Sequence, residues 1–205
     1  MSFATPGWDL ALLRVVNTGW ADRGGPALDA LMLAASQPAM LYGAAALLTA
    51  WVALRRGLRA GGAMLLAVAV LAGAVGLSDL SCNLIKDRFG RLRPYQALAG
   101  VRHPEDGGFV VNAADFLPDR SDGASYPSGH AANTMVVCAL ASVLWPRRRL
   151  WRLLWAPPLV TGLSRVYLGV HYPSDVLAGW GVGLCVALAL GAALTWARTI
   201  PEVGG

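Results

Sequence analysis

Arg165, His171 and Asp175 lie close together in the stretch SRVYLGVHYPSD, and the next charged residue after them is Arg198. His171 and Asp175 are four apart, so their side chains meet if one turn of helix joins them. Two other clusters carry matching groups. KDRFGRLRP (86–94) holds Arg93 and Lys86, the only lysine in the chain; SYPSGHAAN (125–133) holds Ser128, Gly129 and His130. Arginine forks fit phosphate oxygens and a lysine adds a point charge. Pro127 suits the first turn of a helix. The N–H groups of Ser128 and Gly129 would then point outward as an anion site, able to neutralise charge in a transition state. Two histidines, one with a carboxylate beside it, complete the set that phosphoryl transfer needs. One imidazole attacks phosphorus while the carboxylate holds its other nitrogen, and the second protonates the departing oxygen. This chemistry needs no metal and no cofactor. His103 is the one further histidine on that side, which leaves a zinc site without enough ligands.

The elements that position these groups are written in the composition. The 205 residues are 56% hydrophobic and 14% charged, with mean hydropathy +0.50; a soluble domain carries about 25% charged residues. Val176–Trp196 and Gly61–Ser78 hold no charge, and either can cross a hydrocarbon core of about 30 Å as a helix. The pattern predicts an all-α integral membrane bundle with five spans, 38–54, 61–85, 127–146, 150–168 and 174–197, the fourth kinked by Pro157 and Pro158. A sixth crossing follows if 27–37 spans as well. The alternation of a membrane β-barrel is absent, and MSFATPGWD lacks the basic-then-apolar order of a signal peptide. In residues 8–20, Trp8, Leu12, Val16 and Trp20 form one apolar stripe, with Asp9, Arg14 and Asn17 away from it. That is the pattern of a helix lying in the interface. The whole of 1–205 reads as one domain, with an interfacial segment at about 8–36 and an outer loop at about 86–126.

The net charge of +5 comes from 16 arginines and one lysine against 12 acids. Most of the arginines lie in short loops beside apolar runs, which argues for orientation in a bilayer rather than for nucleic acid. Arg55, Arg56 and Arg59, and Arg147, Arg148, Arg149 and Arg152, would be cytoplasmic, with Trp51, Trp145, Trp151, Trp155 and Trp196 as an aromatic belt. The three motifs then share the opposite face, although Arg91, Arg102 and Arg120 in the outer loop work against the rule. Cys82, Cys138 and Cys185 read as buried small hydrophobes, and His103 as loop surface. Asp79 and Asn83, two turns and one turn before Lys86, are expected to support it or another cation, because an intramembrane carboxylate needs a partner. The 95–126 stretch, with Phe109, Val110, Val111 and Phe116, is placed to cover the pocket.

Three motifs in order carry a resemblance: Lys86 with Arg93-Pro94, then Pro127-Ser128-Gly129-His130, then Ser164-Arg165 with His171 and Asp175. In type and spacing the chain resembles the type-2 phosphatidic acid phosphatases over about 79–180. The resemblance implies that His171 becomes transiently phosphorylated, that His130 is the acid and that Asp175 orients His171. It also implies that Lys86, Arg93, Ser128, Gly129 and Arg165 hold the phosphate. The expected activity is hydrolysis of a membrane lipid phosphate or diphosphate at the periplasmic face of a bacterial inner membrane. The leaning is toward undecaprenyl diphosphate, ahead of phosphatidylglycerophosphate, phosphatidic acid and a lipid A phosphate. The expected partners are that lipid and the bilayer, with oligomeric state open. Vanadium haloperoxidases share the motifs, and a non-catalytic lipid-binding or transport protein is the alternative of another class.

Overall fold

The computed structural model describes residues 5–37, 50, 53–119, 123–144 and 153–199. Its elements run α1 (Gly7–Arg14), a π-helical turn (Val15–Gly19), α2 (Ala21–Ala35), α3 (Leu58–Phe89), α4 (Pro94–Ala97), β1 (Arg102–Glu105), β2 (Gly108–Val111), α5 (Gly129–Leu144), α6 (Ala156–Tyr167) and α7 (Pro173–Thr199). At 1.5 Å per residue, α3 is about 48 Å long and α7 about 40 Å, so each exceeds a hydrocarbon core. Both have the length and composition to cross a membrane. In α3 only Gly61, Ala74, Ser78 and Cys82 are buried, while Leu66, Leu80 and Leu84 are more than half exposed. A helix that apolar on its outer side is at home in lipid, where no water penalises it.

α5 and α7 form the centre. Gly179 and Gly183, four apart on α7, let the backbones touch: a Cβ at either would lie 2.3 Å from the carbonyl oxygen of Ser128 or Ala132. Small residues at this spacing are how membrane helices pack closely. Ala74 of α3, Val136 and Leu140 of α5, and Val186 and Ala187 of α7 form one apolar core. A second surrounds the C-terminal end of α6 and the N-terminal end of α7 and takes in Leu13, Val16 and Met32 from the N-terminal segment.

The architecture is mostly helical, with one departure from the all-α expectation. The outer segment folds into the short α4 and an antiparallel hairpin, β1 pairing with β2 from Arg102↔Val111 to Glu105↔Gly108. Arg102 is clamped bidentately by Asp29 at 2.8 and 2.7 Å and covers the Phe109 ring at 3.7 Å. Val110 and Val111 are exposed. His103 is not free loop surface: it stacks on Tyr95 at 5.1 Å.

Several boundaries also move. The second span reaches Phe89 and stops at Gly90, whose φ of 55° is the left-handed conformation of a helix C-terminus. Pro157 and Pro158 fall in the first turn of α6 and so start that helix rather than kink it. Residues 27–35 belong to α2, which bends at Gly25 (φ 58°, ψ −164°) just before Pro26. The ten residues after the bend rise about 15 Å, half a hydrocarbon core. The polar side of 8–20 turns inward: Asp9 and Asn17 are buried, whereas Trp8 and Leu12 are nearly half exposed. Asn17 explains why, since it bonds the Arg102 and Tyr167 carbonyls at 2.6 and 2.7 Å. Cys82 and Cys138 are buried as expected, but Cys185 is exposed. Most of the first expected span and the 147–152 arginine cluster lie outside the described residues, as do Trp51, Trp145 and Trp151.

Candidate active site

The C-terminal ends of α3 and α6 and the N-terminal end of α5 enclose a cavity of about 590 Å³, and Lys86, Arg93, His130, Arg165 and His171 all line it. Lys86 comes from the last turn of α3. Arg93 does not continue that helix, because Gly90 ends it; Arg93 caps α4 instead, its backbone N–H bonded to Gln96 Oε1 at 3.1 Å. Its Nε donates to the Gly123 carbonyl at 3.2 Å. Arg165 enters from the last turn of α6 and donates to Ser36 Oγ. None of these three cations pairs with a carboxylate among the described residues. Unpaired cations converging on a cavity favour an anionic ligand.

Gly129 opens α5 and also lines the cavity. A Cβ there would lie 3.5 Å from Asp79 Oδ1 and 3.9 Å from Lys86 Nζ, so the missing side chain keeps this space clear. Ser128 is fully buried, and its Oγ has no hydrogen-bond partner among the described residues. Its N–H does not point outward for an anion as expected; it donates to the Asp175 carbonyl at 2.9 Å. Asp79 lines the cavity and accepts from Asn133 Nδ2 at 2.8 Å, so its partner is an amide and not Lys86. Asn83 is exposed and does not line the cavity, which removes the supporting role expected of it.

His171 sits in the turn between α6 and α7 and is 2% exposed. It therefore stands at the buried wall of the cavity. Its Nδ1 lies 3.6 Å from Asp175 Oδ2 and 3.5 Å from Ser125 Oγ. Ser125 Oγ donates to the same carboxylate oxygen, and so does the Tyr172 N–H, at 2.8 Å. Burial pushes the His171 imidazole down to about 4; Asp175 works against that shift, and Arg165 and Arg93 work with it. The ring is therefore neutral at pH 7, with a lone pair free.

Sequence reading missed what stands behind Asp175. Arg91, taken as one more loop charge, is 4% exposed. It donates to Asp175 Oδ1 at 2.5 Å and to Asp9 Oδ2 at 2.7 Å, with its guanidinium 3.8 Å above the Tyr172 ring.

Residues 63–199 match the model of the PAP2 superfamily. The chain belongs to that superfamily. It is 36% identical to a lipid A 1-phosphatase of Rhizobium etli over 117 residues, which cover 56% of this chain and 45% of that protein. It is 40% identical to an undecaprenyl-diphosphatase of Sulfolobus acidocaldarius over 76 residues, 36% of this chain and 35% of the relative. The matched stretches thus span less than half the length of these curated relatives. The fold is that of the crystal structure of Aquifex aeolicus LpxE (TM-score 0.66, 20% identity, 94% of this chain and 99% of that one). It is likewise that of a transmembrane PAP2-type phosphatidylglycerolphosphate phosphatase from Bacillus subtilis (TM-score 0.62, 19% identity, 97% and 90%). A transmembrane fold and the outward apolar face of α3 both place this PAP2 member in a membrane.

Proposed function

We propose that this PAP2 protein is a lipid phosphatase that works through a phosphohistidine. The carrying observation is the convergence of Lys86, Arg93, Arg165, His130 and His171 on one cavity. His171 Nδ1 faces Asp175 and Ser125, which leaves Nε2 as the nucleophile. Its lone pair forms the N–P bond as the bond from phosphorus to the leaving oxygen breaks, and His130 gives that oxygen a proton. Water then attacks phosphorus, His130 takes a proton from it, and the N–P bond breaks to return neutral His171 and inorganic phosphate. Lys86, Arg93 and Arg165 hold the phosphoryl oxygens throughout, with Gly129 at the start of α5 and with Ser128 through its Oγ, which has no partner among the described residues. Asp175 keeps the imidazole in the reacting tautomer and stabilises its positive charge.

The cavity continues past the charged end to Val75 on α3 and Pro157 on α6. Val75 lies eleven residues before Lys86, about 16 Å along the helix, so an apolar chain attached to the phosphate has a path beside the spanning helices. The relatives divide between lipid A and undecaprenyl diphosphate. The leaning to a prenyl diphosphate is kept as the reading to be tested, with the site on the extracytoplasmic side of a bacterial inner membrane. The haloperoxidase alternative is not favoured, since the relatives above are lipid phosphatases.

The deciding experiment is phosphate release by purified protein from undecaprenyl diphosphate, lipid A, phosphatidylglycerophosphate and phosphatidic acid, with parent and His171→Gln side by side. The parent is expected to release phosphate, to be inhibited by orthovanadate and to form a phosphoenzyme; His171→Gln should do none of these. Turnover by His171→Gln at the parent rate would refute the mechanism. Bromide oxidation with peroxide, in place of phosphate release, would refute the function.

A further inference from the structure

We propose that Asp9, on the N-terminal helix α1, is a positioning residue that acts on His171 through Arg91, Ser174 and Asp175. The inference rests on the phosphatase reading above and extends it to a part of the chain that lies before the residues matched to the superfamily, 63–199.

Asp9 is fully buried, as is Asp175, and Arg91 lies between them, bonded to one carboxylate at 2.7 Å and to the other at 2.5 Å. A single guanidinium therefore serves two carboxylates, and the trio carries one net negative charge. Ser174 closes the ring. Its Oγ donates to Asp9 Oδ2 at 2.5 Å and accepts from Arg91 at 2.7 Å, and its N–H donates to Asp9 Oδ1 at 2.8 Å. Both oxygens of Asp9 are thus engaged, one on the residue directly before Asp175 and one on the cation that holds Asp175. Asp175 Oδ1 takes Arg91, while Oδ2 takes Ser125 and the Tyr172 N–H and faces His171. The orientation of the carboxylate toward the imidazole is therefore set from behind, and the last fixed point in the line is α1.

Two physical effects follow. Asp9 draws part of the Arg91 charge away from Asp175, so Asp175 keeps more of its negative charge for the imidazolium that forms at His171. Asp9 also fixes the Arg91 fork, so Asp175 cannot rotate away from His171. In Asp9→Asn the size is kept, but an amide N–H now faces a guanidinium that has only donors, and both effects weaken. A buried pair that loses one partner leaves an uncompensated charge, which is reason to read catalysis per intact site rather than per milligram.

The test uses the full chain in detergent micelles with p-nitrophenyl phosphate as probe, and competent sites are counted by titration with orthovanadate. For Asp9→Asn the expected result is an about 10-fold fall in kcat per titrated site, the low end of what losing a supporting group behind a site costs. KM should stay within about twofold, and Asp9→Glu should recover most of the loss. In an Arg91→Met background the same change should cost markedly less, since only the tie through Ser174 is left. Unchanged kcat per site would overturn the proposal, as would a loss confined to the number of titratable sites or a full additive loss in the Arg91→Met background. If the parent cleaves no phosphoester, the phosphatase reading fails by itself. The positioning claim is then decided by the His171 Nδ1 signal in ¹⁵N-histidine spectra, which Asp9→Asn must shift for the claim to survive.

Discussion

At the scale of single residues, charge is sorted by depth. Lys86, Arg93 and Arg165 keep their charge for the cavity, whereas Arg91, two positions from Arg93, is spent on two buried carboxylates. Arg93 has its Nε tied to the Gly123 carbonyl, which aims the remaining N–H groups of the fork. Arg93→Lys keeps the charge and loses the fork, so kcat/KM on any lipid phosphate should fall about tenfold or more. An unaltered value would exclude a bidentate role. The histidine at the cavity wall makes a prediction about pH. An unfolded histidine takes up a proton near pH 6.5, while buried His171 resists until about pH 4. Between these values acid favours the unfolded chain. The melting temperature of the parent should fall more steeply from pH 7 to 4.5 than that of His171→Asn; parallel curves would contradict a depressed His171. The groups proposed to react were legible in the sequence because phosphoryl transfer restricts residue type and spacing. The groups behind them, Arg91, Asp9 and Ser125, were not. Their partners lie 84, 82 and 50 positions away, and no local pattern records such a pairing.

At the scale of elements, hydropathy located α3 and α7 because lipid selects an unbroken apolar run. It missed the hairpin, whose Arg102 depends on Asp29 of a distant helix, and it left the polar side of 8–20 without the buried partners of Asp9 and Asn17. An apolar stripe toward the core and one toward lipid are written alike, and only the buried partners of Asp9 and Asn17 distinguish them. The crossing of α5 and α7 was legible in principle as Gly179-x-x-x-Gly183. Gly183→Leu would drive its side chain into the Ala132 carbonyl and Met135. That change should lower the melting temperature and, by parting α5 from α7, reduce activity along with it. The smaller Gly181→Ala meets no atom within 4 Å and should leave both near the parent values. If Gly183→Leu melted like the parent, close packing of these helices would be disproved.

At the scale of the whole molecule, a polar cavity end sits above an apolar one, so head and tail of a substrate are tested by different parts of the bundle. Val75→Trp fills the apolar end, more than two helical turns from Lys86. It should raise KM for long-chain lipid phosphates several-fold and leave p-nitrophenyl phosphate hydrolysis unchanged; equal effects on both would mean that the tail does not lie there. The tie between Asp9 and Ser174 joins positions 165 apart. A ribosome adds about 5–20 residues each second, so Asp9 is made roughly ten to thirty seconds before its partners on α7 exist. The nascent chain carries Lys86, Arg93 and His130 well before it carries Asp175. On the mechanism proposed above, such a chain lacks the group that holds the nucleophile, and it gains activity only once α7 has joined the bundle.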